Sequence, residues 1–92
     1  MRKAFICSLC HNGILGGALY VDESAMTFRT QKRTVAKEYR NLVLPLREIE
    51  KLSWEQIIFP VATITMADGR VYRFLIFNKT GFQRHYQQLR GM

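Results

Sequence analysis

Ninety-two residues with a net charge of +7 and 48% hydrophobic side chains, eleven of them aromatic, describe one basic domain over residues 1–92, able to fold without staples. A chain this short buries somewhat over ~60% of its unfolded surface, enough for a single core. No run approaches the ~20 apolar residues that span a bilayer, and no nucleophile–base pair or paired acid and base appears, so transmembrane and enzymatic classes are set aside.

Met1-Arg2-Lys3 before Ala4-Phe5-Ile6 resembles the start of a signal peptide. The apolar run breaks at Ser8 and His11 and no small-residue cleavage site follows, so a cytoplasmic chain with two reduced cysteines is expected. Residues 4–10 alternate as a strand, with Phe5, Cys7 and Leu9 on one face and Ile6, Ser8 and Cys10 on the other. Cys7-Ser8-Leu9-Cys10-His11 satisfies the Cys-x-x-Cys-His haem-attachment pattern. Strand alternation sends its two thiols to opposite faces, the wrong geometry for one porphyrin. A zinc site would need Cys7, Cys10, His11 and the distant His85, without the second close pair that structural sites favour. No cofactor and no metal are therefore expected. His85 reads as a partly exposed polar residue.

His11-Asn12-Gly13 turns the chain, Gly16-Gly17 leads into a strand at residues 18–21, and Asp22-Glu23-Ser24 turns again. Residues 26–30 return with Met26 and Phe28 on one face and Thr27 and Arg29 on the other, as a half-solvated antiparallel sheet requires. The segment from Thr30 to Asn41 is the longest connection. Arg29, Lys32, Arg33, Lys37 and Arg40 stand there against one anion, Glu38, so this stretch carries more than half the excess charge. Residues 42–46 form another strand, placed at an edge because Pro45 cannot donate to a ladder. Residues 47–56 read as a short strand with an irregular start. Glu48 and Glu50, flanked by Arg47 and Lys51, read as a solvated charged surface. Trp54 is assigned to the core or an oligomer contact.

The C-terminal third is the most informative. Residues 61–66 and 71–77 are apolar, alternating strands around Asp68-Gly69, a hairpin signal. A two-residue loop pairs Ala67 with Arg70, which puts Val61, Thr63 and Thr65 on one face with Tyr72, Phe74 and Ile76. That face is expected inside, because Arg73 on the other would be costly to bury unpaired. Phe77 falls on the Arg73 side, which points to a bulge or a strand end. Asn78 or Thr80 caps a closing helix whose Phe82, Tyr86 and Leu89 form an apolar stripe. Gln83, Arg84, Gln87 and Arg90 face water, and Gly91 stops the helix.

Gly17-Ala18-Leu19-Tyr20-Val21-Asp22-Glu23 followed by Met26-Thr27-Phe28-Arg29 resembles the opening hairpin of the GRAM branch of pleckstrin-homology-like domains. Leu44-Pro45-Leu46-Arg47-Glu48-Ile49 and Ala67-Asp68-Gly69-Arg70-Val71-Tyr72-Arg73-Phe74 resemble later strands of that family, and the closing helix falls where the family has one. The resemblance covers residues 17–89. It implies a mainly β fold, a two-sheet sandwich or split barrel capped by the C-terminal helix, serving as a platform for phosphoinositides, other lipids or protein segments. Family members that grip phosphoinositide headgroups place several cations around the loop joining their first two strands. Here His11 to Gly16 holds no Lys or Arg, which argues against headgroup recognition.

The leading expectation is a non-enzymatic binding module that engages a protein partner, or a second copy of itself, through sheet edges or rim loops. The alternative is peripheral attachment to an anionic membrane surface, or to another anionic ligand, through Arg29, Lys32, Arg33, Lys37 and Arg40. Nucleic acid is disfavoured, because the aromatics fall at core-facing positions and no recognition helix stands out.

Overall fold

The computed structural model describes residues 2–10, 13–31, 37–56 and 58–90. Within them the chain is mainly β, with seven antiparallel strands and a C-terminal helix. The strands are β1 (Lys3–Cys10), β2 (Ile14–Val21), β3 (Ala25–Arg29), β4 (Asn41–Pro45), β5 (Ile49–Gln56), β6 (Pro60–Met66) and β7 (Val71–Ile76). A single helical turn, α1 (Lys37–Arg40), precedes β4, and α2 (Lys79–Leu89) closes the chain.

Hydrogen bonding joins all seven strands in the order β4-β3-β2-β1-β7-β6-β5. The ladder between β1 and β7 is the short one, from Cys7↔Ile76 to Leu9↔Phe74, so the sheet divides into two halves at this seam. β4 and β5 lie at opposite ends of the order, yet only the 3₁₀ turn Leu46–Glu48 separates them in sequence. Three residues cannot cross a flat seven-stranded sheet at ~4.8 Å per strand. The sheet therefore folds over on itself and brings its edges near each other without closing into a barrel. β4 does lie at an edge, as Pro45 requires.

The core fills the space between the halves. Phe5, Cys7 and Leu9 of β1 point inward with Leu19 and Val21 of β2 and Met26 and Phe28 of β3. Phe28 meets Phe74 of β7 at 5.6 Å between ring centroids. A Cβ at Gly17 would strike the Arg29 carbonyl and lie 2.9 Å from the Phe28 ring, so this glycine is needed for close approach. Its neighbour Gly16 accepts the Thr30 hydroxyl at 2.8 Å. Asp22 shapes the β2–β3 turn by accepting the N–H groups of Ser24 (2.8 Å) and Ala25 (3.0 Å).

The β6–β7 hairpin corrects the expected register. The loop holds three residues, Ala67-Asp68-Gly69: Met66 N–H donates to the Arg70 carbonyl at 2.8 Å, and Gly69 N–H to the Met66 carbonyl at 3.0 Å. Gly69 adopts φ +95°, as hairpins with three-residue loops ask of their last loop residue. Thr65 now pairs Val71, Thr63 pairs Arg73 and Ala62 pairs Phe74. The one-residue slip flips every β6 side chain. Ala62, Ile64 and Met66 are buried with Phe74 and Ile76, while Thr63 and Thr65 are not. Burying Ile64 and Met66 in place of two threonines explains the choice. Phe74 faces inward as expected, and Phe77 lies just past the end of β7.

β5 is longer than expected, eight residues, and its irregular start is a register shift between Ile49 and Lys51 against β6. Asn78 caps α2 by accepting from Gly81 N–H at 3.1 Å. Phe82 is fully buried, edge-on to Phe5 (5.3 Å) and to Trp54 (5.8 Å) and stacked on Tyr86 (6.3 Å). Trp54 is thus half-buried against the core.

His85 departs from the sequence reading. It is buried, and its Nε2 lies 3.0 Å from the Val21 carbonyl. An i, i+3 relation to Phe82 places it on the inward face of α2, and the hydrogen bond compensates its burial. Arg90 is not merely solvated either: its guanidinium donates to the carbonyls of Leu46 (2.7 Å) and Ile49 (3.4 Å), tying the helix end to the 3₁₀ turn. Gly91, expected as the helix stop, lies outside the described residues. No helix among those residues is long and apolar enough to cross a membrane.

Candidate functional site

The sequence nominates Arg29, Lys32, Arg33, Lys37 and Arg40. Lys32 and Arg33 lie outside the described residues. Arg29 ends β3 on the outer face, Lys37 is exposed on α1, and Arg40 is half-buried where α1 meets β4. The fold brings Arg29 and Arg40 together by pinching the base of the basic segment. Thr30 N–H donates to the Arg40 carbonyl at 3.2 Å, and Arg29 Nε donates to Asn41 Oδ1 at 3.1 Å across the β3–β4 pair.

Both arginines line an open cleft of about 570 Å³ on the outer sheet face. Its shape follows from the cross-strand row Ile6–Ala18–Arg29–Asn41, in which the small Ala18 leaves a hollow between larger neighbours. Tyr20 forms a wall, its ring under the guanidinium groups of Arg2 (4.6 Å) and Arg29 (5.7 Å). Cation–π contact of this kind holds a guanidinium in place without neutralising it. No carboxylate is among the described residues that line the cleft. Arg40 Nε is shielded from solvent and has no hydrogen-bond partner among the described residues.

Arg2 and Tyr20 were missed by sequence reasoning. Period-2 alternation already puts Tyr20 on the face of Ala18 and Arg29. Arg2, by contrast, joins them only through the β1–β2 register, in which Lys3 faces Val21.

A second feature adjoins the cleft. Ile6 (68% exposed), Ile14 (67%), Ile58 (82%), Phe59 (46%) and Phe77 (53%) present large apolar side chains to solvent. Phe59 and Phe77 meet edge to face at 5.5 Å, and Phe77 N–H reaches the Ile6 carbonyl at 3.5 Å. Ile14, Ile58 and Phe59 surround an apolar hollow of about 320 Å³ with Cys10, Val61 and Leu75. Ile6 borders the cationic cleft as well, so the apolar strip and the cations form one continuous surface.

The thiols do not make a site together. Cys7 is in the core, where burial pushes its pKa up to about 12, and Cys10 is half-buried on the opposite face of β1. A neutral, enclosed thiol is a poor nucleophile and a poor metal ligand. His11 lies outside the described residues, and among those residues no three His, Cys, Asp or Glu side chains converge.

Neither a family model nor a curated protein matches this chain. Among solved structures it is similar to the C-terminal domain of an unknown protein from Leishmania infantum, with a TM-score of 0.73 and 12% identity over 95% of this chain and 81% of that one. At that identity the likeness concerns the fold alone.

Proposed function

We propose that this chain is a non-enzymatic, cytoplasmic binding module of pleckstrin-homology/GRAM-like fold that docks a protein partner on its outer sheet face. The observation that carries this reading is the strip from Ile6 through Phe77 and Phe59 to Ile58 and Ile14. Contiguous apolar patches of a few hundred Å² or more mark interaction sites on soluble domains. With a net charge of +7 on the chain and arginines beside the strip, the fitting partner is apolar at its centre and acidic at its rim. A second copy of the chain is disfavoured, because like charges meet across such an interface.

A photo-crosslinking residue at Ile58, with a matched one at the distant Lys51, tests this in cells. One defined protein crosslinked from position 58, absent from position 51 and lost in a Phe77→Ser background, is the expected result. Equal crosslinking from both positions would sink the reading. Mass measurement in solution should return a monomer, and a stable dimer would identify a second copy as the occupant.

A second reading is supported by the cationic cleft: attachment to an anionic membrane surface through the basic segment. Near anionic lipid each cation contributes about 1 kcal/mol. Sedimentation with vesicles should rise with phosphatidylserine content and vanish in high salt. Equal binding to neutral vesicles would contradict it.

A further inference from the structure

We infer that the outer sheet face seats an amphipathic α-helix of the partner protein, laid across the strands with its acidic C-terminal turn over Arg29. This rests on the docking reading and deepens it, naming what docks and in which direction.

The apolar strip and the cationic cleft share one line across the sheet. Arg29, Ala18 and Ile6 are cross-strand neighbours on β3, β2 and β1. Phe77 N–H reaches the Ile6 carbonyl, and the Phe77 ring meets Phe59 just before β6 begins. In the strand order β3-β2-β1-β7-β6, that line covers about 19 Å at ~4.8 Å per interval.

Such a face dictates the conformation of its occupant. Away from its edges a sheet presents side chains only, because its N–H and C=O groups are already paired in the ladders. An extended segment laid over Ile6, Phe77 and Phe59 would bury main-chain donors and acceptors with nothing to meet them. A helix satisfies its own backbone and offers apolar side chains at i, i+4 and i+7 along one stripe. About 13 helical residues cover the line at ~1.5 Å each.

Charge fixes the direction. The chain's seven acidic residues all fall within the described segments, and none of them lines the cleft. Arg29 Nε donates to a neutral amide oxygen, Asn41 Oδ1, which leaves its charge uncancelled. Toward β6, by contrast, Arg73 is paired with Glu55. The line is therefore cationic at one end and neutral at the other. A helix carries partial negative charge at its C-terminus, where the last carbonyls lack partners. Guanidinium N–H groups suit those carbonyls and the carboxylates of a last turn alike. A second copy brings no such helix, since α2 contains no acidic residue and its Phe82 is buried.

Photo-crosslinking residues at Ile58 and at Gln31, an exposed residue on the cleft rim, test this in cells on the full chain. Mass spectrometry locates the crosslinked sites on the partner. Both positions should capture one segment of one protein, at sites roughly 10–16 residues apart, with the Gln31 site nearer the C-terminus of that protein. Sites about six residues apart would mean an extended segment. Sites on separate segments, or the opposite order, would equally overturn the helix while leaving the docking reading in place. No defined protein from either position, a second copy of this chain, or lipid adducts alone would defeat both.

The captured segment, synthesised with a fluorophore, then provides a binding measurement by anisotropy. Arg29→Glu should weaken it about tenfold or more, and lysine in place of the segment's C-terminal acidic residue should restore it. Proline at the segment's centre should abolish binding. Arg84→Glu on the exposed face of α2 should change nothing, and Trp54 fluorescence monitors folding in each variant. Equal losses in Arg29→Glu and Arg84→Glu, or undiminished binding of the proline peptide, would overturn the inference.

Discussion

Two arginines lie over tyrosine rings at nearly the same distance, in opposite electrostatic circumstances: Arg29 on the outer sheet face, and Arg70 at the hairpin rim over Tyr72, which packs against the core. Arg70 lies over Tyr72 at 5.8 Å and forms an ion pair with Asp68 at 2.7 Å. Arg73 nearby pairs with Glu55 at 3.2 Å. The Arg70 backbone N–H, and then its guanidinium, hold the Asp68 carboxyl below its ordinary range. Arg29 lies over Tyr20 at 5.7 Å with an amide as its partner, and Arg40 beside it has an enclosed donor with no partner among the described residues. The hairpin surface of β6 and β7 is electrostatically closed, and the surface of β2 to β4 is open. Local neutralisation serves solubility, whereas cations that a fold gathers without counterions remain available to something outside the chain.

Both surfaces rest on one core, and the largest expected effect comes from breaking it. Phe82→Ala removes the ring that Phe5, Trp54 and Tyr86 pack against and should cost about 3–5 kcal/mol. Urea unfolding followed by Trp54 fluorescence would measure it. A loss confined to the C-terminal half would separate the two surfaces energetically.

Alkaline pH acts through Cys7. Its folded pKa, raised by burial to about 12 from 9.0, means that the thiol stabilises the fold fully below pH 9. That contribution is lost as the unfolded chain ionises first, at about 1.4 kcal/mol per pH unit between 9 and 12. Stability should fall through that window, and Cys7→Ala should fall less steeply. Parallel slopes would show that Cys7 does not drive it. At neutral pH a thiol reagent should modify Cys10 well before Cys7.

Gly17→Ala strikes beneath the open surface alone. The new methyl meets the Arg29 backbone carbonyl and the Phe28 ring and should cost about 1–3 kcal/mol as overpacking. It should also displace Arg29, while amide shifts of residues 67–73 stay in place.

Arg40→Met sharpens the contrast in the opposite direction. Removing a desolvated, unsatisfied donor should stabilise the ligand-free domain by about 1 kcal/mol. Thermal unfolding would show the gain, and a loss would mean that Arg40 has a structural partner. The smallest effect should come from Arg70→Gln. Its ion pair is exposed and worth little, so the midpoint should barely move and high salt should erase the difference.

Element order was readable from the residues, because alternation, turn chemistry and capping are local. Phe5, Cys7 and Leu9 had to share a face, Pro45 had to sit near an edge, and Asn78 could cap. The hairpin register was not readable. Asp68-Gly69 suits a two- or three-residue loop, and the choice came from which face of β6 buries more apolar area. His85 could not be placed from sequence either, since its partner is the Val21 carbonyl 64 residues away. The cluster of cations was visible as composition, but only as a charged stretch.

The sequence by itself determined a small, basic, mainly β chain with a helical plug, because periodicity and turn residues act over a few positions. Tertiary structure decided which arginines are neutralised and which are not. Asp68 lies two residues from Arg70 and can find it along the chain. The meeting of Arg2, Tyr20, Arg29 and Arg40 depends on strand register and on the pinched base of the basic segment, which exist only once the sheet has folded.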